Sequence, residues 1–362
     1  MNQPRSENIP RSLPELASGT GDLSVQTMPA PDSSLVEQYG ALASHVGLVD
    51  RSSLTKLKLV GRDSVDLLQR LSTNDLSTVN SGSSVHTVLT TEKGRVIDLV
   101  TLYNLSDVTL ILICHAPREK VLSWIEKYII MEDVSLFDIT FAYSLFSLFG
   151  PELEKILPVI RLNQPVTKII DSVVETKVGD SQLTVGGAEP VSRFNVNILV
   201  PATDAHTLWR KLVEDGSQAG LEPCSIDALE IRRIEHGFPI YGRELTEEVN
   251  PLEAGLEKFV SFTKGCYIGQ EVIARLDTYK KLQKKLVGLL LANKADVVPG
   301  APLTARGENV GYVTSIVDSL LLRRRIALAY VRSVWAVPGG EVDTTTTTGI
   351  EKAQVVQLPF RK

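Results

Sequence analysis

One cysteine of this chain lies where a thiol could become reactive. Residues 264–271 read KGCYIGQE, and glycines at positions 265 and 269 flank Cys266. Glycine allows positive φ or the close approach of a ligand, so the segment is predicted to be a functional loop. A helix is predicted to begin near Gly269, and the negative charge of Glu271 would lie close to the positive N-terminal end of the helix dipole. A thiol between Lys264 and that helix is predicted to be a stabilised, reactive thiolate. The alternative is a small thiol that only packs.

A carboxylate forms the second candidate for chemistry. Residues 85–103 predict a β-hairpin with its turn at residues 92–95, and Asp98 lies among apolar residues of the second strand. An unpaired buried carboxylate would be costly. Asp98 therefore either has a structural partner, such as loop amides, or faces a polar cavity as part of a site.

The elements that position these residues alternate between strand and helix, which indicates an α+β fold. A Ser34 cap and apolar residues at positions 35, 39, 42 and 46 predict the first helix. Further strands are predicted at 57–60, 109–114, 137–150 and 194–200, and further helices at 64–71, 117–130, 205–218 and 224–235. Beyond residue 281, short strands separated by glycine turns predict a small β-barrel, with the threonine run 344–348 at a surface loop or strand tip.

The composition limits the classes of protein to which this chain can belong. The chain has 362 residues, 43% of them apolar, which is enough for a large core and two or three domains. Its net charge of −5 argues against a protein that coats nucleic acid, and no apolar run reaches the roughly 18 residues of a membrane helix. We expect a soluble protein with no membrane partner and no stable direct binding of nucleic acid.

The cysteines and the N-terminal segment bear on the compartment. Cys114, Cys224 and Cys266 are widely spaced, odd in number and lack a CxxC pair, so a reducing compartment is expected and an internal metal site is not. Residues 1–34 are rich in Pro, Ser, Gly and Asn and are predicted to be a disordered tail without a secretory or typical transit signal. We interpret the protein as cytoplasmic.

The KGCYIGQE string resembles the signature of YgfZ-type folate-binding proteins, the iron-sulfur-cluster-associated branch of the glycine cleavage T-protein (GcvT-like aminomethyltransferase) superfamily. Further similar stretches are 73–75, 94–98, 235–242, 251–256 and 326–331, so the resemblance runs from about residue 39 to residue 331. It implies a three-lobed ring of two interleaved α/β lobes, residues 35–280, and a C-terminal β-barrel, residues 281–362. It also implies tetrahydrofolate or a derivative, which can be polyglutamylated, in a central channel.

The resemblance carries over to individual residues. It implies Cys266 as the residue that does chemistry and a folate site formed by Asp98, Arg233, Lys264, Tyr267, Gln270 and Glu271, with no metal ligand. Where amine-transferring T-proteins have carboxylates, this chain has Leu99 and Asn197. Arg233 could pair with a folate carboxylate. The equally weighted alternative is a salt bridge to Glu230 or Glu235.

Lysines 280, 281, 284 and 285 form a basic run. The run could hold a polyglutamate tail or an RNA phosphate, although a solvated turn is the more common structure for such a run.

Three functions follow as hypotheses. The first is a tetrahydrofolate-binding accessory protein that assembles or repairs iron-sulfur clusters, including those of tRNA-modifying radical enzymes, with iron-sulfur proteins or cluster carriers as partners. The second is a folate-dependent one-carbon transferase, either an aminomethyltransferase or a demethylase. The third is a folate-binding scaffold without chemistry, in which Cys266 only packs.

Overall fold

The computed structural model describes residues 27–192, 194–279, 281–292, 296–347 and 349–360. Most of the predicted tail, residues 1–26, lies outside these residues, as does Lys280 of the basic run. The α-helices of the described residues are α1 (Leu35–Ser44), α2 (Ser64–Leu71), α3 (Arg118–Glu126), α4 (Val166–Ile169), α5 (Ala205–Gly216), α6 (Ile226–Glu235) and α7 (Gln270–Tyr279). None of them is long and apolar enough to cross a membrane.

The strands follow the same chain order. They are β1 (Val46–Asp50), β2 (Lys56–Val60), β3 (Ser83–Thr90), β4 (Val96–Asn104), β5 (Val108–Ile113), β6 (Ser135–Asp138), β7 (Tyr143–Phe149), β8 (Val173–Val178), β9 (Ser181–Gly187), β10 (Asn195–Pro201), β11 (Leu221–Cys224), β12 (Lys284–Leu290), β13 (Pro302–Ala305), β14 (Glu308–Ser319), β15 (Arg324–Arg332), β16 (Glu341–Thr346) and β17 (Gly349–Val356).

Two sheets form the two α/β lobes. The first has six strands in the order β11-β1-β7-β10-β9-β8, and the second has five in the order β3-β4-β5-β2-β6. The chain starts the first sheet with β1, builds the whole second sheet with β2 to β6, and then returns to the first sheet. The predicted interleaving of two α/β lobes is therefore confirmed.

The C-terminal strands close into a barrel in the order β12-β15-β14-β13-β16-β17. Closure comes from the antiparallel pairing of β12 with β17, which leaves neither strand as a free edge. The barrel has its own apolar core, which includes Leu289, Leu303 and Ala329. This confirms the predicted small β-barrel.

Local sequence signals explain where several elements begin. Ser34 and Glu37 form a capping box at the start of α1, as the Ser34 cap predicted. Strand β4 is buried at every position from Val96 to Tyr103, which is why it reads as an almost continuous apolar run. Helix α6 begins at Ile226 rather than at the predicted residue 224, because Leu221–Cys224 pairs with β1 as a parallel strand.

Helix α6 connects an α/β lobe to the barrel. The Tyr39 hydroxyl of α1 donates a hydrogen bond of 2.7 Å to Glu235, and the Ser319 hydroxyl of the barrel donates one of 2.6 Å to the other carboxylate oxygen. Both contacts are buried. The C-terminal end of α6 is therefore held between α1 and the barrel.

Residues 27–34 contact the first lobe. Met28 is buried in the core beneath the six-stranded sheet, and its N–H donates to Asp50 at 3.0 Å. The structure thus places the last part of the predicted tail against the folded domain.

Candidate functional site: two cavities and the cysteine loop

A cavity of about 360 Å³ lies where both α/β lobes meet α6. Its walls come from the residue after β1, the end of β5, the segment after β9, and α6 with the loop that follows it. Residues that line it include Arg51, Cys114, His115, Glu189, Val191, Ile226, Leu229, Glu230, Arg233, Phe238, Tyr241 and Arg243. We call it the first cavity.

A buried ion pair forms part of its wall. Arg51 makes a two-pronged contact with Glu189 through both guanidinium Nη atoms, and the Nη2 to Oε1 distance is 3.1 Å. Both side chains are buried. Burial by itself would raise the pKa of Glu189, but the charge and hydrogen bonds of Arg51 outweigh burial and lower it to about 2. Glu189 is therefore ionised at neutral pH.

The Cys114 thiol shares this carboxylate. Its Sγ donates to Oε1 of Glu189 at 3.0 Å. Burial and the negative charge of Glu189 raise the pKa of the Cys114 thiol well above its ordinary value. Cys114 is thus a neutral hydrogen-bond donor at the cavity, not a thiolate.

Asp98 lies behind the cavity wall instead of lining it. One carboxyl oxygen accepts the N–H of Leu99 at 2.9 Å, and the other accepts those of His115 and Ala116 at 3.0 and 3.1 Å. Burial raises the pKa of Asp98 to about 7, although these amide hydrogen bonds oppose the rise. Two alternatives were predicted for Asp98, a structural bond to loop amides and a place facing a polar cavity. The structure shows the bond to loop amides.

Arg233 lines the cavity, and protein groups use all five of its N–H donors. Nε and Nη2 each donate to Glu230 at 2.7 Å, and Nη1 donates to Glu244 at 2.9 Å. The remaining donors reach the Phe238 carbonyl and the Ser315 hydroxyl. The predicted alternative of an ion pair with Glu230 is therefore present.

The cysteine loop, residues 264–271, packs on the turn between β3 and β4. Gly269 has a φ of +85°, and a Cβ at this position would lie 2.6 Å from the Thr91 carbonyl oxygen, so only glycine fits. The Thr90 hydroxyl donates to the Ile268 carbonyl at 2.6 Å. Helix α7 begins at Gln270 with Glu271 in its first turn, as predicted. Cys266 is exposed on this loop.

Lys264 fastens the loop to the second lobe. Its ammonium donates to the carbonyl oxygens of Gln69, Ser72 and Asn74 at 2.6, 2.8 and 2.6 Å. These carbonyls lie at or just after the C-terminal end of α2, where carbonyl groups lack helical partners. Burial lowers the pKa of Lys264 to about 8. All three N–H donors of Lys264 are thus used by the backbone.

The other predicted residues of the loop have local roles. Tyr267 is buried with Leu252 and Ile273, and burial raises its pKa to about 12. The Gln270 amide donates to the Lys264 and Gly265 carbonyls at 3.4 Å, and Glu271 is exposed. Of the seven predicted site residues, Arg233 alone is among the described residues that line the first cavity. The chemistry and folate contacts assigned to all seven remain predictions.

Three polar residues of the cavity wall were not predicted from the sequence, namely Arg51, Glu189 and His115, and no role at a site was predicted for Cys114. Weak signals for them exist. Arg51 and the Cys114-His115 pair each follow an apolar strand, and Glu189 follows β9 just before a proline. Polar residues directly after strands are common in binding sites.

A second, larger cavity of about 580 Å³ lies beside the barrel. Its walls come from residues 236–239, 254–259, 285–287 and 356–359, with Pro190 and residues around position 337. Phe238 lines both cavities. The two cavities therefore share part of a wall.

Comparison with known proteins places the chain in a family. Residues 28–264 match the model of the GCVT N-terminal domain, and residues 284–362 match that of the glycine cleavage T-protein C-terminal barrel domain. An aminomethyltransferase of Symbiobacterium thermophilum is 32% identical over 347 residues, 92% of this chain and 91% of the relative. One from Thermoanaerobacter pseudethanolicus is 29% identical over 343 residues, 94% of this chain and 93% of the relative.

A solved structure shares the fold. The crystal structure of the glycine cleavage system aminomethyltransferase T from Bartonella henselae superposes with a TM-score of 0.81 at 21% identity, and covers 90% of this chain and 89% of that one. With both family models matched in chain order and the barrel closed as described, the chain belongs to the glycine cleavage T-protein family.

Proposed function

We propose that this protein binds a reduced folate and transfers a one-carbon unit to or from it. The observation that carries the proposal is similarity from end to end: relatives named aminomethyltransferase align with 94% of this chain in one case and 92% in another. The first cavity supports it, since about 360 Å³ is within the usual range of small-molecule sites.

Asp98 is proposed to support the first cavity from behind its wall. Its carboxyl accepts the N–H groups of His115 and Ala116, and His115 lines the cavity. Asp98 would in this way fix the backbone that carries a lining residue, without itself contacting the ligand.

A pair of variants tests where the folate binds. Ile226 is 54% exposed at the mouth of the first cavity, whereas Val36 on α1 is 63% exposed and does not line it. We expect Ile226→Trp to weaken tetrahydrofolate binding about tenfold or more in calorimetric titration and Val36→Trp to leave it unchanged. Wild-type protein without measurable affinity for tetrahydrofolate would contradict the proposal.

The reaction itself needs a separate assay. Wild-type protein is expected to release ammonia or formaldehyde equivalents from glycine-derived or methylamine substrates only when tetrahydrofolate is added. If tetrahydrofolate binds but neither ammonia nor formaldehyde equivalents are released, the protein binds folate and the proposed transferase activity is wrong.

The exposure of Cys266 favours a second candidate, a YgfZ-type accessory protein for iron-sulfur enzymes. The loop is held on both sides, by Lys264 at the end of α2 and by Gly269 at the β3–β4 turn, yet it leaves the Cys266 thiol open to solvent. A fixed, accessible thiol suits thiol chemistry with a partner protein.

A deletion strain tests this second candidate. Complementation with Cys266→Ala should fail to restore the activity of cluster-containing enzymes and the level of thiolated tRNA, whereas Cys224→Ala, which alters a buried thiol, should restore both. Full restoration by Cys266→Ala excludes the role.

A further inference from the structure

A short turn carries the chain from the first lobe to the second. Strand β1 ends at Asp50 in the six-stranded sheet, and β2 begins at Lys56 in the five-stranded sheet. Residues 51–55 therefore cross between the lobes, and Arg51 of the first cavity is the first of them. The Leu54 N–H donates to the Arg51 carbonyl at 2.9 Å, which closes the turn. The position of the Arg51 side chain thus depends on how this turn is held.

A buried lysine holds the turn from behind. The Lys56 side chain is fully buried, and its ammonium donates to the Ser52 carbonyl at 2.7 Å and to the Leu54 carbonyl at 3.0 Å. Both carbonyls belong to residues that lie between the strands, and a buried carbonyl needs a donor. An ammonium group is costly to bury, so the lysine is explained by the two hydrogen bonds that it gives to the turn.

Two carboxylates lie near Lys56, but its hydrogen bonds go to the turn. Burial lowers the pKa of Lys56 to about 8, and the charges of Asp50 and Asp138 oppose the change. Asp50 accepts the N–H of Ser52 at 2.9 Å, and Asp138 lies 3.4 Å from the Arg118 guanidinium. At pH 7 Lys56 is therefore mostly charged, and a charged donor forms the stronger hydrogen bond.

The guanidinium of Arg51 connects the turn to a contact between the lobes. Its Nη2 and the Cys114 thiol both donate to Oε1 of Glu189, at 3.1 and 3.0 Å. Glu189 follows β9 of the first lobe, and Cys114 follows β5 of the second. A shift of the turn would therefore move Arg51 away from the carboxylate that joins these two parts of the cavity wall.

We propose that Lys56 is a positioning residue of the first cavity. Its ammonium fixes the turn from which Arg51 reaches Glu189, and so keeps the wall closed over Cys114. Lys56 acts through Arg51 and not on a ligand, because it is buried behind the turn and is not among the described residues that line the cavity. The inference goes beyond the proposed function, since it holds for any ligand of this cavity.

The labelling of two buried thiols tests the inference without folate. Cys114 lines the first cavity, whereas Cys224 lies on β11 beside the Gln38 carbonyl. We expect Lys56→Met to speed the labelling of Cys114 by methyl methanethiosulfonate at pH 7 about tenfold or more relative to that of Cys224, because only local opening exposes one thiol without the other. Lys58→Met is the matched control, since Lys58 is a half-buried lysine of the same strand that, in the part of the chain that the structure describes, makes no hydrogen bond to the turn.

A graded variant and a measurement on the wild-type protein complete the test. Lys56→Gln keeps N–H donors on a shorter, uncharged side chain, so the labelling of Cys114 should lie between that of the wild type and that of Lys56→Met. The N–H groups of Arg51 and Leu54 donate to the carbonyls of Leu145 and Arg51. In the wild-type protein these two amide hydrogens should exchange with solvent as slowly as those of β1.

Each outcome supports or overturns the inference. If Lys56→Met leaves the labelling of Cys114 unchanged, or speeds the labelling of Cys114 and Cys224 equally, Lys56 contributes only to overall stability and the inference is wrong. If neither variant of Lys56 folds, fast exchange of the Leu54 amide in the wild-type protein overturns it and slow exchange supports it.

A titration with tetrahydrofolate separates this inference from the proposed function. If the wild-type protein binds tetrahydrofolate, Lys56→Met should weaken that binding about threefold or more, because the cavity wall is loosened, and Lys58→Met should not. If the wild-type protein binds no folate, the proposed function fails while the result of the thiol labelling still decides the role of Lys56.

Discussion

Replacing Glu189 with glutamine should destabilise the protein strongly, although the two side chains have the same shape. The change leaves the buried Arg51 charge without its counter-ion, and breaking a buried ion pair from one side typically costs about 3–5 kcal/mol. The pKa of Glu189 gives a free energy of similar size, because its lowering from 4.5 to about 2 corresponds to roughly 3 kcal/mol of stability at neutral pH. We expect a loss of this size in the free energy of unfolding.

Urea unfolding at pH 7 measures the effect, and its pH dependence gives an independent check. A carboxylate whose pKa is lowered by folding stabilises the native state above its unfolded pKa and loses that contribution as the pH falls toward the folded value. The difference between wild-type protein and Glu189→Gln should therefore shrink from about pH 4.5 to about pH 2.

The double variant Arg51→Met/Glu189→Leu is the control. Removing both charges leaves no unpaired ion, so this variant should be more stable than Glu189→Gln alone. A Glu189→Gln variant that loses less than about 1 kcal/mol would refute the reasoning, as would a double variant that is less stable than the single one.

Three further predictions concern the cysteine loop and the carboxyl behind the cavity. Lys264→Met leaves three backbone carbonyls without a donor, so it should cost about 1–3 kcal/mol in urea unfolding and speed the alkylation of Cys266 by loosening its loop. In native protein, iodoacetamide should label Cys266 but not the buried Cys114 and Cys224 until the chain unfolds, as mass spectrometry would show. The folded-state pKa of Asp98 is raised to about 7, so its contribution is complete below about pH 4 and is lost through pH 7. Wild-type stability relative to Asp98→Asn should therefore fall between about pH 4 and about pH 7.

Each of these predictions has a control or a result that would contradict it. Lys281→Met removes a lysine outside the fastened loop and should change neither stability nor the labelling of Cys266. Rapid labelling of Cys114 in folded protein would contradict its buried bond to Glu189. A wild-type to Asp98→Asn difference that stays constant from about pH 4 to about pH 7 would contradict the raised pKa.

Much of the fold could be predicted because its signals are local. The Ser34 cap, the apolar spacing of α1 and the glycine turn between β3 and β4 depend on residues close in the chain, and all three are present in the structure. The barrel was predictable for the same reason, since short strands alternate with glycine turns. The interleaved order of the two sheets came only from the resemblance, because pairing between distant strands leaves no local pattern.

The site was harder to predict because its contacts join distant parts of the chain. Arg51 and Glu189 are separated by 138 positions, and Lys264 reaches carbonyls more than 190 positions away. The sequence around either residue of such a pair does not indicate which distant residue it contacts. Arg233 is a contrasting case. An ion pair with Glu230, three positions away, was one of its two predicted alternatives because both residues are near in sequence, and that pair is present.

The β3–β4 hairpin links the two candidate functions physically, and this decides how they must be separated by experiment. Its turn supports the cysteine loop through Gly94 and Gly269, while its second strand carries Asp98 behind the first cavity. A change in the hairpin would disturb the thiol and the cavity together, so its phenotype could not assign either role. Ile226 and Cys266 are exposed and lie outside the hairpin, so variants at these two positions can separate folate binding from thiol chemistry.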